Sequence, residues 1–248
     1  MRVGAPSLVG VLSGLLLLWA ARGDPSQGRQ VEAVLAENTA WVSCWDFEGH
    51  AYESRAVRSV ELVSPEGLNR VYVIAEARAI GKDQRGLESC ENRTRLFISR
   101  RGAASFSTVF VANAVKDGPQ GNGLQLIDWS ADSRYVLGDL ITWRYFSEGW
   151  AHNALLYSVQ NDAVVKLDLN SLFTLHAKKD CTVDGKLLGF LKDGRVAFRA
   201  WGVPDEEGES CVSRASLWAI DWKASTLNQI SSSAVIRHNG HFAQTIPR

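Results

Sequence analysis

The residues of this sequence best suited to chemistry are concentrated in one segment, which runs from Arg144 to Asn153. Three aromatic side chains, Tyr145, Phe146 and Trp150, stand there beside a guanidinium and an imidazole. Large rigid aromatic groups next to arginine often anchor recognition surfaces. The segment is therefore predicted to bind a ligand. The alternative is that its aromatic side chains pack inward and cover the end of a core.

Two other loops carry charged groups that could join this segment. Asp205 and Glu206 belong to a short acidic run, and Arg85 lies in a polar loop between residues 80 and 89. Loops longer than a hairpin needs are where a scaffold usually carries recognition. The candidate binding residues are Arg144, Tyr145, Trp150, His152, Asp205, Glu206 and Arg85.

Signatures of catalysis or metal binding are missing from the sequence. It has no G-x-S-x-G elbow, P-loop, G-x-G-x-x-G loop, H-E-x-x-H motif or S-x-x-K motif. His238 and His241 flank a predicted turn with no carboxylate nearby, and residues 205–207 lack calcium-loop spacing. We predict no catalytic residue, metal site or cofactor. A binding or scaffold module is favoured over the alternative, a hydrolase or lyase whose residues converge from the same loops.

The elements that must position these loops are short β-strands. From Leu124 to Trp143 the sequence reads as a strand, a polar turn at residues 130–133 and a second strand. Serine and aspartate in the turn favour chain reversal, and the flanks are rich in β-branched and aromatic residues. Because the flanks are apolar at successive positions, they predict a sheet that is covered on both faces.

The same strand–turn–strand unit recurs, with turns that begin at Ser64, Ser130 and Lys192, a period of roughly 60 residues. A longer polar loop and two more strands follow each unit. The segments Glu88-Ser-Cys-Glu-Asn-Arg-Thr-Arg-Leu96 and Glu209-Ser-Cys-Val-Ser-Arg-Ala-Ser-Leu217 share five identities, which fixes the alignment. We therefore predict three four-stranded antiparallel meanders with the three long loops at one common edge.

The turn Trp129-Ser-Ala-Asp-Ser-Arg-Tyr135 resembles the Trp-Ser-Pro-Asp-Gly-Arg-Tyr signature of TolB-like repeats, the WD-like propellers common in exported bacterial proteins. The third unit keeps Lys192-Asp-Gly-Arg195, and the first keeps Ser64-Pro-Glu-Gly67. This resemblance implies an all-β, propeller-like stack with blades at about residues 44–115, 122–169 and 181–231.

A closed propeller ring usually needs at least four blades, so a stack of three leaves two end faces to be covered. The favoured solution is a partial fourth blade formed by residues 31–45 and 234–242. A homodimer through the end blades and capping by the long loops are the alternatives.

The four cysteines are predicted to form two disulfides, Cys44–Cys90 and Cys181–Cys211. In an up-and-down meander, the start of the first strand and the start of the third lie at one edge, which brings each of these pairs together. Trp41 is expected to cover Cys44 as part of the core.

Residues 1–23 combine a basic start, a short apolar run and a small-residue cleavage site, so they are predicted to be a secretory signal peptide. The remainder, residues 24–248, is long enough for one domain. Removing Arg2 and Arg22 changes the formal charge from zero to −2. This balance gives no reason to expect nucleic acid or an anionic membrane as partner. We predict a secreted or periplasmic protein that is not inserted in the membrane and engages a protein or small polar ligand.

Overall fold

Three β-sheets follow one another along the chain in the computed structural model, which describes residues 31–34, 38–42, 54–82, 88–112, 120–144, 150–204, 210–212 and 214–243. One short helix lies between the second sheet and the third. In chain order the elements are β1 (Val31–Val34), β2 (Thr39–Trp41), β3 (Arg55–Arg58), β4 (Leu62–Val63), β5 (Arg70–Lys82), β6 (Glu88–Ser99), β7 (Ser107–Ala112), β8 (Gln120–Trp129), β9 (Tyr135–Arg144), β10 (Trp150–Ser158), β11 (Ala163–Asp168), α1 (Leu169–Ala177), β12 (Val183–Phe190), β13 (Val196–Gly202), β14 (Ser216–Asp221), β15 (Thr226–Ile230) and β16 (His241–Phe242).

Each sheet is built on an antiparallel meander. In the first, β5, β6 and β7 pair in succession, and β3 and β4 both pair with β5, so together they act as one interrupted strand. The second sheet runs in the order β8, β9, β10, β11, and the third in the order β12, β13, β14, β15. The predicted all-β class and the three four-stranded meanders are confirmed. The sheets do not close into a ring within the described residues.

Strands from the two terminal segments extend the neighbouring sheets, whereas the sequence favoured a partial fourth blade. β2 pairs with β8, β1 runs parallel to β3, and β16 pairs with β4. No pairing joins the N-terminal segment to the C-terminal one among the strands that the structure describes. The physical reason is that the outer strands of the first two sheets offer unpaired backbone groups to any nearby strand.

The second sheet is the central layer, because its alternate residues belong to two different cores. Leu155 and Tyr157 of β10 pack into the core shared with the first sheet. Their neighbours Ala154 and Leu156 pack into the core shared with the third sheet and α1. Each fully buried leucine among them contributes about 1.5–3 kcal/mol to stability. The sheet covered on both faces is thus confirmed.

Helix α1 was not expected from the sequence, where no window shows a sustained helical period. Its N-terminus is capped by Asp168, whose carboxylate accepts hydrogen bonds from Ser171 N at 3.3 Å and Ser171 Oγ at 2.9 Å. Phe173 of the helix packs against Phe198 and Trp218 of the third sheet. The helix therefore forms mainly because this face is buried, with help from its cap.

The three predicted turns share one backbone geometry. Ser133 N donates to Ser130 O at 2.9 Å, and the corresponding bonds are Gly67 N to Ser64 O and Gly194 N to Leu191 O. The residue that donates has a positive φ in every case: 75° at Gly67, 56° at Ser133 and 84° at Gly194. This left-handed position favours glycine. The central turn carries a serine there.

The C-terminal segment is fixed by a buried carboxylate in the central sheet. Asp128 Oδ1 accepts hydrogen bonds from Trp129 N at 2.8 Å, Asn239 N at 3.0 Å and Gly240 N at 2.9 Å. Burial raises the pKa of Asp128, and these backbone donors oppose the rise. Arg237 adds an isolated backbone bridge to Phe190 in the third sheet. The segment thus ties the sheets together.

The outer face of the first sheet is covered by its own arginine and aromatic side chains. The guanidinium of Arg58 lies 3.8 Å from the ring centre of Tyr72, and that ring stacks on Phe97 with centres 4.9 Å apart. Glu61 forms two ion pairs: its Oε1 lies 2.6 Å from Arg58 Nη2, and its Oε2 lies 3.3 Å from Arg70 Nη1. Arginine stems shield apolar surface while the charged groups remain near water. This end of the stack is therefore shielded by the sheet's own side chains.

Candidate functional site

The predicted recognition edge lies where β9 ends and β10 begins. Trp150 and His152 are the candidate residues whose side chains the structure describes there. Arg144 is placed as the last residue of β9, with its backbone opposite Gln120. The other candidates lie outside the described residues: Tyr145, Asp205, Glu206 and Arg85.

A cluster of three tryptophans occupies this edge of the central sheet. The ring centre of Trp143 lies 6.2 Å from that of Trp41 and 5.8 Å from that of Trp150. Trp150 stands directly opposite Trp143 in the β9–β10 pair, so both side chains share one face. Trp41 is 46% exposed and Trp150 is 53% exposed. The interpretation that Trp150 packs inward is thus wrong, as is the expectation that Trp41 belongs to the core.

Two glycines of β8 make room for these rings. A Cβ atom at Gly121, which pairs with Trp143, would lie 2.3 Å from the indole ring of Trp143. At Gly123, which pairs with Trp41, a Cβ would lie 2.7 Å from the Cβ of Trp41. Glycine inside a strand often marks such a close approach. The Gly121-Asn-Gly123 pattern was therefore the signal by which the sequence could have revealed the cluster.

His152 lies between two carboxylates beside the tryptophan cluster. Its Nδ1 is 2.8 Å from Asp139 Oδ2, and its Nε2 is 3.6 Å from Asp184 Oδ1. Burial lowers the pKa of His152, but the hydrogen bond and charge of Asp139 and the charge of Asp184 outweigh burial, so its pKa is raised. The imidazole is consequently stabilised in its protonated, cationic form.

The two carboxylates differ sharply in their surroundings. The side chain of Asp139 is 3% exposed, and its Oδ1 has no hydrogen-bond partner among the described residues. Asp184 is about half exposed and also accepts a hydrogen bond from Gly185 N at 2.6 Å. Asp139 is a lone acid in an otherwise apolar strand. Buried carboxylates are almost always paired, so this pattern was a signal of the site that the sequence prediction missed.

This arrangement can hold a positive charge next to an aromatic surface, and among the described residues both ring nitrogens of His152 face carboxylates. The nitrogen Nε2 of His152, which would serve as a general base, faces the carboxylate of Asp184. A hydroxyl or thiol would be needed there for nucleophilic catalysis. The site therefore suits recognition by stacking and by charge.

A disulfide lies at the same edge of the third sheet. Cys181 and Cys211 are bonded, with Cα atoms 5.6 Å apart, which confirms this predicted pair. Nearby, Gly202 N donates to Val212 O at 3.2 Å. For the other pair, Cys44 lies outside the described residues, and only the backbone of Cys90 is placed, opposite Ala79.

Two other features of the sequence, a possible glycosylation motif and a histidine near the C-terminus, contact neighbouring parts of the fold. Asn92-Arg-Thr94 matches the acceptor pattern for N-glycosylation. Asn92 is fully buried, and its Nδ2 donates to Val42 O at 2.8 Å, so the folded chain does not present it for modification. His238 Nδ1 lies 3.9 Å from the buried carboxylate of Asp128. Among the residues described, no three histidine, cysteine or acidic side chains are grouped as metal ligands.

No helix among the described residues has the length and apolar character that a membrane span needs. Comparison of the chain with protein-family models gives no match, and comparison with curated proteins gives none either. The resemblance to TolB-like repeats therefore stays a prediction, and any conclusion about function must come from the geometry of the site.

Proposed function

We propose that this protein is an exported, non-catalytic binding module that engages a protein or a small polar ligand through the edge formed by Trp41, Trp143, Trp150 and His152. The observation that carries the proposal is the pair of half-exposed indoles at Trp41 and Trp150. Exposed large aromatic groups held in fixed positions are the usual anchors of recognition.

The cluster is rigid before any ligand arrives. Its rings lie on β2, β9 and β10 of one sheet and contact each other across it. Gly121 and Gly123 of β8, the strand between β2 and β9, leave no room there for a larger side chain. A preorganised surface loses little conformational entropy on binding, which favours affinity. Both ring nitrogens of His152 beside it already face carboxylates of the protein, so the aromatic rings supply the contact surface.

An extracellular or periplasmic location belongs to the same proposal. It is supported by the Cys181–Cys211 disulfide, because disulfides persist in oxidising compartments. The apolar N-terminal run of the sequence is consistent with export.

The test compares the mature protein with Trp150→Ala and with Leu175→Ala, a matched control at an exposed apolar residue of α1. Native mass spectrometry of protein from an oxidising compartment identifies a retained ligand, and affinity capture from a secreted extract identifies a protein partner. We expect Trp150→Ala to weaken binding of that species by about tenfold or more, as truncation of an anchor does. Equal binding by both variants would refute this edge as the recognition surface.

A further inference from the structure

A groove of about 460 Å³ lies at the opposite edge of the sheets, between the tight turns of the second and third sheets. Its lining comes from the β8–β9 turn, the β12–β13 turn and the β14–β15 turn. Small-molecule sites usually fall between about 300 and 1,000 Å³. The groove is separate from the tryptophan cluster, and all of its lining residues are described.

One wall of the groove is aromatic and held from both sides. Trp222 meets Tyr135 edge-on, with ring centres 4.8 Å apart, and thereby spans the gap between the two sheets. Its indole Nε1 also donates to Gly194 O at 3.4 Å. A flat apolar ligand placed against this wall would find the indole already in position.

The acidic groups that line the groove are already engaged. Asp193 Oδ2 lies 2.8 Å from Arg195 Nε and 2.7 Å from Arg195 Nη2. Asp132 Oδ1 accepts from Ser130 Oγ at 2.7 Å. The Oδ1 atom of Asp221 accepts two backbone N–H bonds of its own turn, both at 3.1 Å. Arg195 thus neutralises Asp193, and Arg134 pairs with Asp132 at 3.6 Å, so Asp221 is the one lining acid without an ion pair among the described residues.

Two lysines that line the groove, Lys192 and Lys223, differ from these groups. Neither ammonium group has a carboxylate partner among the residues that the structure describes. Lys223 Nζ lies 5.2 Å from the ring centre of Trp222, so one of these charges stands directly over the aromatic wall. The two lysines outweigh the single unpaired carboxylate of Asp221, so charge complementarity favours an anion with a flat apolar body.

We propose that this groove binds a small planar organic anion, with its ring against Trp222 and Tyr135 and its carboxylate between Lys192 and Lys223. This site is independent of the recognition edge described above. It would give the protein a second ligand of distinct chemistry.

Fluorine NMR of the mature protein tests the site with two probes of the same shape, para-fluorobenzoate and its neutral analogue para-fluorobenzamide. We expect line broadening with the benzoate and about tenfold weaker binding of the amide, because two exposed charge contacts are lost. The double variant Lys192→Gln/Lys223→Gln should show a similar loss for the benzoate.

Two controls make the outcome decisive. Lys166→Gln/Lys186→Gln removes two other exposed lysines and should leave benzoate binding unchanged, as should Trp150→Ala at the opposite edge. Because all four lysines are exposed, none of these variants is expected to unfold. Equal affinity for both probes, no binding of the benzoate at millimolar concentration, or loss of binding only in Trp150→Ala would each overturn the proposal.

Discussion

Replacing Ser133 by glycine should stabilise the protein. Ser133 occupies the left-handed position of the central turn with a φ of 56°, whereas the matching positions of the other two turns are glycines. Its hydroxyl is buried and has no hydrogen-bond partner among the described residues. The substitution therefore removes both a strained backbone conformation and an unsatisfied polar group.

The expected gain follows from three contributions. A non-glycine residue in the left-handed region costs about 1–2 kcal/mol, and a buried hydroxyl without a partner costs about 1–3 kcal/mol. Glycine gains conformational freedom in the unfolded chain, which offsets roughly 0.4–1 kcal/mol. The net stabilisation from these terms is about 1–5 kcal/mol. For a domain of this size the melting temperature should rise by roughly 2–4 °C for each kcal/mol gained.

Urea and thermal unfolding measure this change, and two control variants separate its causes. Ser133→Ala removes the hydroxyl but keeps the positive φ, so it should gain less than Ser133→Gly. Gly194→Ala should lose about 1 kcal/mol, because a Cβ there meets nothing within 4 Å and only the backbone conformation is penalised. A melting temperature that falls in Ser133→Gly, or rises equally in Ser133→Ala, would refute the reasoning.

Four further predictions concern other parts of the fold. Because the folded-state pKa of His152 is raised above 6.5, its proton stabilises the fold at low pH. Unfolding free energy should fall as pH rises through that pKa, and His152→Gln should lose this dependence in a urea titration at several pH values. Asp128→Ala should cost about 2–4 kcal/mol in chemical unfolding by leaving one buried and two partly buried N–H groups without an acceptor, and Asp128→Asn should cost less. Gly121→Ala should displace the indole of Trp143 and change the near-ultraviolet circular dichroism, while an unchanged spectrum would argue against the close contact. Removing the Cys181–Cys211 bond, which spans 30 residues, should lower stability by about 3–4 kcal/mol, measured by urea unfolding of a Cys181→Ser/Cys211→Ser variant without reductant.

The sequence predicted what depends on local chemistry and repetition. The turns predicted at Ser64, Ser130 and Lys192 carry their own side-chain and glycine signals. The structure confirms their common geometry and places the start of the third turn one residue earlier, at Leu191. The apolar positions on both sides of the central strands likewise predicted a sheet with two buried faces.

What escaped sequence reasoning depends on contacts between distant segments. β1, β2 and β16 join their sheets through backbone groups, which carry no residue-specific signal. Helix α1 has only nine residues and forms against the third sheet. The tryptophan cluster combines residues of three strands, and only the glycines of β8 hinted at it.

The C-terminal segment affects the order in which the chain can fold. Residues 237–243 reach β4 of the first sheet, Asp128 of the second and Phe190 of the third. Because a ribosome makes the sheets in sequence and this segment after them, the growing chain holds three layers without their common tie. The three sheets can then unfold as one cooperative unit only after a late step in which this segment docks. Until that step the two shared cores alone hold the layers together, and a chaperone would meet sheets that lack this last connection.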